Sequence, residues 1–277
     1  MKQRVIFSKI LIIILAAIVL FPMYFLFIGS LYQNTKFIIM PPNLFPLDAT
    51  LDNYYVVLHN LNIIKWAFNT IVVLAFTTIG NIFVNIVAGY AFSFYQFRFK
   101  KILWMLLLFG VMVPRISIII PLFKVINILH LSGELLAVIL PCLFNPMFLY
   151  LSKIYFDSIP KSLVESARID GAHEIQVLFY IVMPISLPLV TTIGIFSSIG
   201  SMQDWIWQSL QLQKNNNLTA LVGMVRAMYG QAWALQGNKN FIGQSFAIGV
   251  VLILPVLIIF IFASRYFVNS LSGAIKE

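Results

Sequence analysis

Long apolar runs separated by short polar interruptions dominate this chain, and amphipathic stretches are few. The apolar runs cover about Phe7 to Ser30, Lys65 to Phe92, Ile102 to Leu122, Leu135 to Tyr155, Phe179 to Gln203 and Phe246 to Phe267. A helix needs about 20 mostly apolar residues to cross the hydrocarbon core of a bilayer, and a helix apolar on every side has no face to offer water. The pattern predicts an all-α membrane protein with six transmembrane helices. A polar stretch carrying Pro41, Pro42 and Pro46 separates the first two runs. The first run is too long for the apolar part of a signal peptide and lacks a small-x-small cleavage site, so it is expected to stay in the membrane.

Composition sharpens this. Of 277 residues, 61% are hydrophobic and 10% charged, where a soluble domain carries about 25% charged residues. A soluble globular fold is excluded, and residues 1–277 are read as one transmembrane domain. Eighteen Lys and Arg against nine Asp and Glu give +9. In a soluble protein that excess would suggest nucleic acid; here it is read as anchoring of cytoplasmic loops, with no nucleic-acid partner.

With the N-terminus inside, the inner face carries Lys2, Arg4, Lys9, Arg98, Lys100, Lys101, Lys153, Lys161, Arg168, Arg265 and Lys276. The outer face carries Lys36, Lys65, Lys124, Lys214, Arg226 and Lys239. Both termini are therefore expected in the cytoplasm. The single cysteine, Cys142, rules out an intrachain disulfide and a cysteine metal cluster, and its apolar run suits a buried small hydrophobe. Arg115, between Pro114 and Pro121, is the ionisable group within a run. That makes it a functional hypothesis, although snorkelling to the outer headgroups is the favoured reading.

The loop between the fourth and fifth runs, about 158–178, is different in kind. Glu165, Arg168, Asp170 and Glu174 crowd into it. Ser162 and Glu165 have capping-box spacing, with Pro160 as an alternative first helical residue. Leu163, Val164 and Ala167 share one face, and Gly171 suits a stop that needs positive φ. Such a helix fits a soluble partner or lies on lipid; its mixed charges favour the partner.

The same residues resemble the EAA signature of permease subunits in ATP-binding-cassette importers. Glu165-Ser166-Ala167 is followed at the expected spacings by Gly171 and by Ile181-Val182-Met183-Pro184, with Ser166 and Met183 departing from the pattern. Ile159-Pro160-Lys161-Ser162-Leu163, Ala167-Arg168-Ile169-Asp170-Gly171-Ala172, Ile199-Gly200-Ser201, Leu254-Pro255-Val256-Leu257 and Arg265-Tyr266-Phe267-Val268 are similar to the maltose-type carbohydrate permeases.

The resemblance implies a non-catalytic subunit forming half of a sugar or oligosaccharide pathway in a bacterial-type cytoplasmic membrane. Its implied partners are a second permease subunit, two ATPase subunits that bind the ATP, and an extracytoplasmic sugar-binding protein. Glu165, Ser166, Ala167, Arg168, Asp170 and Gly171 would form the coupling helix that meets an ATPase, with Ala167 and Gly171 as the small positions allowing close approach. Gln203, Asp204 and Trp205 stand where family members have a polar and aromatic motif, and imply contact with the solute pathway. Trp205 and Trp207 also suit anchors at the outer membrane interface. The outer loop, about 208–244, would face the binding protein, with Gly223, Gly230, Gly237, Gly243, Tyr229 and Trp233 as a flexible, partly aromatic probe.

No phosphate-binding loop is present in the sequence, and His173-Glu174 lacks the second histidine of a zinc helix. No catalytic residue, metal site or cofactor is expected. Two alternatives stay open here: an importer permease for a non-sugar solute, and an ion-coupled secondary transporter, which would need more intramembrane ionisable groups than Arg115.

Overall fold

The computed structural model describes residues 2–32, 45, 49–212, 217–229, 242–251 and 253–254. The elements are α1 (Lys2–Ser30), α2 (Asp52–Asn60), α3 (Ile63–Phe94), α4 (Lys100–Met112), α5 (Arg115–Ile128) and α6 (Leu135–Ile139). They continue with α7 (Pro146–Asp157), α8 (Lys161–Ile169), α9 (Glu174–Ile185), α10 (Leu187–Gln203), α11 (Trp205–Gln211), α12 (Ala220–Tyr229) and α13 (Ile242–Val251). No strand occurs among the described residues. Among the described residues three stretches are long and apolar enough to cross a membrane: Phe7–Ser30, Ile63–Phe94 and Leu135–Asp157. Two bent pairs, α4 with α5 and α9 with α10, raise the number to as many as five. Most of the sixth expected run lies outside the described residues, α13 being the described helix at its start.

Proline decides where the expected runs break. The third run is two helices bent by 108°. Pro114 has no N–H to continue the ladder, and Val113 before it takes the extended ψ of 119° that a following proline demands. The fifth run bends by 82° between α9 and α10. Within α9, Val177–Val182 widens into a π-helix ahead of Pro184, a common response to a lost ladder bond. The hydroxyl of Tyr155 donates to the freed carbonyl of Ile185 at 3.2 Å.

The chain divides into two compact units, Met1–Ala67 with Ala220–Phe260 and Phe68–Thr219 with Ile261–Glu277. In the first, α1 keeps Ile12, Ile13 and Val19 exposed, as suits a lipid-facing helix. Buried Asn53 donates to the carbonyls of Ser30 at 2.9 Å and Tyr32 at 2.8 Å, satisfying the end of α1. Gly223 was expected in a flexible outer loop; it lies inside α12, where an added Cβ would stand 2.3 Å from the Trp66 ring. Close packing, and not loop freedom, explains this glycine.

In the second unit a polar seam joins α3 to α10. Thr77 and Ser201 hydroxyls bond at 3.1 Å, Thr78 and Ser198 hydroxyls bond at 3.0 Å, and Asn81 Nδ2 donates to Ser197 Oγ at 3.0 Å. Asn85, fully buried, donates to the Asn81 carbonyl at 2.7 Å. Such bonds are worth about 0.6 kcal/mol each, up to about 1.7. Toward the other end of this unit a core forms from Ile86 and Tyr90 of α3, Phe148 and Phe156 of α7, Val164 and Ala167 of α8, Val177, Leu178 and Val182 of α9, and Leu189 and Ile193 of α10.

Candidate functional site

The loop between α7 and α10 is held on this core by its own sequence. Ile159, Val164 and Ala167 are buried in it, so one face of α8 is taken up by the chain itself. The opposite surface carries Glu165, Ser166, Asp170 and Gly171, all exposed, with Leu163, Ile169 and Ile175 as exposed apolar side chains. Ile169 is 85% and Ile175 72% exposed. Helix α8 starts with Pro160 as its cap, and no side chain caps it. Ser162 therefore sits within the first turn, and the capping-box expectation is corrected: proline's fixed φ starts the helix two residues earlier.

The end of α8 is a two-bond reversal. The N–H of Ala172 reaches the Ala167 carbonyl at 3.0 Å and that of Gly171 reaches Arg168 at 3.1 Å. Gly171 takes φ +84°, as the sequence suggested; only a residue free of Cβ strain closes this stop cheaply. An added Cβ at Gly171 would meet nothing within 4 Å, so Gly171→Ala isolates backbone strain from crowding. It is expected to cost about 1–2 kcal/mol, read as a lowered midpoint of thermal unfolding.

Across that reversal lies a three-way clasp. Arg168 Nε donates to Glu174 Oε1 at 2.7 Å and Nη2 donates to Oε2 at 3.2 Å. The Tyr90 hydroxyl, from α3, donates to Glu174 Oε2 at 2.7 Å. The Arg168 guanidinium also stands 5.5 Å from the Tyr95 ring centre. Partial burial pushes the Glu174 carboxyl up, but hydrogen bonds from Arg168, Tyr95 and Tyr90 outweigh it and bring it down to about 2. The same carboxylate raises Arg168. At neutral pH the clasp is fully charged. Arg168, expected to face a partner, is turned to its own chain, and Glu174 is the residue that sequence reasoning did not single out.

The second candidate group is at the opposite end of α10. Gln203 and Trp205 are exposed, and Asp204 between them pairs with Arg115 Nη2, 89 positions away. The same nitrogen contacts the Cys142 sulfur at 3.2 Å. Arg115 was expected to snorkel; instead the α4–α5 bend brings it to Asp204. Trp207, read as an interface anchor, is 1% exposed and donates from Nε1 to the Ala137 carbonyl at 3.2 Å. Arg115 and Cys142 line a cavity of about 460 Å³ shared with Thr77, Asn81, Phe144, Phe196, Ser197, Gly200 and Ser201. Among the described residues no group of three or more His, Cys, Asp or Glu could hold a metal.

Known proteins share this organisation. Residues 85–273 match the family described as binding-protein-dependent transport system inner membrane component. The arabinooligosaccharides transport system permease protein AraQ of Bacillus subtilis (strain 168) is 31% identical over 95% of this chain and 92% of its own length. The galactooligosaccharides transport system permease protein GanQ of the same organism is 30% identical over 98% and 94%. The sn-glycerol-3-phosphate transport system permease protein UgpE of Brucella suis biovar 1 (strain 1330) is 26% identical over 94% of each. A chain in the crystal structure of a bacterial ABC transporter involved in the import of the acidic polysaccharide alginate has the same fold, with TM-score 0.83 and 24% identity over 96% of this chain and 97% of that one. The chain belongs to the family of binding-protein-dependent transport system inner membrane components, as a multi-pass membrane protein.

Proposed function

We propose that this chain is the permease subunit of an ATP-driven carbohydrate importer and forms half of the solute pathway. The likeness over nearly its whole length to relatives named for arabino- and galactooligosaccharide transport carries the reading. A second permease supplies the other half, two ATPase subunits sit on the cytoplasmic side, and a sugar-binding protein delivers solute from outside. The chain crosses the membrane six times with both termini in the cytoplasm, and hydrolyses nothing itself.

Coupling runs through α8 and its reversal. Glu165, Ser166, Asp170 and Gly171, with the exposed apolar Leu163, Ile169 and Ile175, form the surface that meets an ATPase. Ala167 and Arg168 hold that surface on the permease core, and Gln203, Asp204 and Trp205 belong to the solute pathway. Support comes from Ile169 and Ile175, exposed among the charged side chains of this loop and not along an all-apolar run.

Charge reversal at the docking surface tests the reading. Glu165→Arg is expected to remove about 2–5 kcal/mol of docking free energy, so that the ATPase no longer co-purifies in detergent and solute uptake stops. A native extract without any ATPase subunit, together with undiminished uptake by Glu165→Arg, would overturn it.

A further inference from the structure

We propose that the cavity at the α4–α5 bend is a solute site for uncharged, hydroxyl-rich sugars, and that Asp204 makes it so by cancelling the charge of Arg115. The inference rests on the importer reading above and adds the charge class of the cargo. Family likeness leaves that class open, since relatives named for neutral oligosaccharides and for a glycerol phosphate both match this chain.

The cavity, about 460 Å³, is large enough for a sugar unit. One wall is a face of α10, where Ser197 and Ser201 stand one turn apart. Both are bonded to α3: Ser197 accepts from Asn81, which leaves its own proton to donate, and the Ser201 hydroxyl pairs with that of Thr77. Gly200 lies between them, and a Cβ there would meet nothing within 4 Å, so the wall is open where a ring would pass. The Phe196 ring, 57% exposed, offers an apolar plane for the C–H face of a sugar.

Donors alone suit an anion equally well, so the charge balance decides. Among the residues lining the cavity, Arg115 alone is charged. Its Nη2 is engaged by Asp204 and Cys142. Nε and Nη1 make no hydrogen bond among the described residues, and its side chain is 54% exposed. Arg115 therefore presents free N–H donors without a free charge. An uncharged hydroxyl accepts from those donors at no electrostatic cost. A phosphate or carboxylate must either displace Asp204 or stand beside its like-charged carboxylate, and both are unfavourable.

Cys142 is the single cysteine of the chain and lines the cavity, so it reports occupancy directly. In the complete importer held in nanodiscs, its modification by a small uncharged thiol reagent is followed by mass spectrometry of this subunit. Maltotriose serves as the neutral probe and trigalacturonate as the anionic one. Maltotriose is expected to slow modification by roughly tenfold relative to trigalacturonate, the order expected when a charge enters a site that offers no uncompensated partner. Asp204→Asn, which frees the Arg115 charge, is expected to reverse the order.

Equal or stronger protection by trigalacturonate in the native chain overturns the charge assignment while leaving an importer of carbohydrates intact. Absence of protection by either probe, in an importer that still moves sugar, overturns the site. Loss of the importer reading itself shows differently, as no ATP-dependent uptake of any glycan. Should Asp204→Asn fail to assemble, the two probes on the native chain are sufficient to decide between these outcomes.

Discussion

Glu174→Ala is expected to leave the subunit folded and the ATPases turning over, yet sharply reduce the solute moved per ATP. The carboxylate and Arg168 are 40% and 33% exposed at their side chains. An ion pair so exposed contributes under about 1 kcal/mol to stability, and the core around Val164 and Ala167 does not depend on it. Its mechanical position is another matter. Glu174 ties the residue before the Gly171 reversal to α9 and both to Tyr90 of α3. Without it, displacement of α8 is absorbed at Gly171. A transmission loss of about 1–2 kcal/mol corresponds to a roughly 5- to 30-fold fall in the ratio of uptake to hydrolysis. Proteoliposomes measuring both rates together check it. Tyr90→Phe, which removes one bond of the clasp, should fall between. A proportional loss of uptake and hydrolysis would assign Glu174 a purely structural part.

Gly89→Val should do the opposite and damage the fold itself. A Cβ at Gly89 would lie 2.5 Å from Ser152 Cβ and 3.2 and 3.3 Å from backbone atoms of Ser152 and Lys153. Backbone cannot step aside as a side-chain tip does, so α3 and α7 must separate. One turn on, Ser93 donates to the Lys153 carbonyl at 3.1 Å, and that bond is lost as the helices part. Gly89 and Ser93 are the small residues, four apart, that such close helix contacts need. Overpacking costs about 1–3 kcal/mol, and the lost hydrogen bond adds to it. Thermal inactivation of the purified protein in detergent should show a clear drop. Gly200→Ala, inside α10 with open space around it, is the contrasting substitution, expected not to lower that midpoint.

Much of this was legible in the order of residues, and the exceptions share a cause. Apolar runs show because lipid imposes them on every face of a helix, and Gly171 shows because a left-handed stop favours one residue type. Periodicity could not tell whether Val164 and Ala167 face a partner or their own core, since both surfaces ask for the same side chains. Pro114 stands within the third run, which reads as one span, and nothing in the sequence gives the direction of its bend. That direction brings Arg115 to Asp204 and makes a cavity where the sequence suggested a snorkelling cation. Glu174 was hidden for the same reason: its partners are Arg168, six positions back across a turn, and Tyr90, 84 positions away. Helix α2, within the proline-containing polar stretch, is nine residues long and too polar overall to stand out as a run.

The polar seam between α3 and α10 also governs the order in which the protein is made. Asn81 and Asn85 enter the bilayer with α3, more than a hundred residues before Ser197 and Ser201 leave the ribosome. Until α10 arrives Asn81 lacks its bond to Ser197 and Thr78 its bond to Ser198, and a polar group short of a partner is costly in hydrocarbon, so the nascent α3 has reason to remain near the insertion machinery or another polar surface. Chains that stop before Leu187 lack the α10 half of the seam: Asn85 keeps its bonds within α3 and Asn81 those to the Thr77 and Cys142 carbonyls, while the bonds of Asn81 to Ser197 and of Thr78 to Ser198 cannot form.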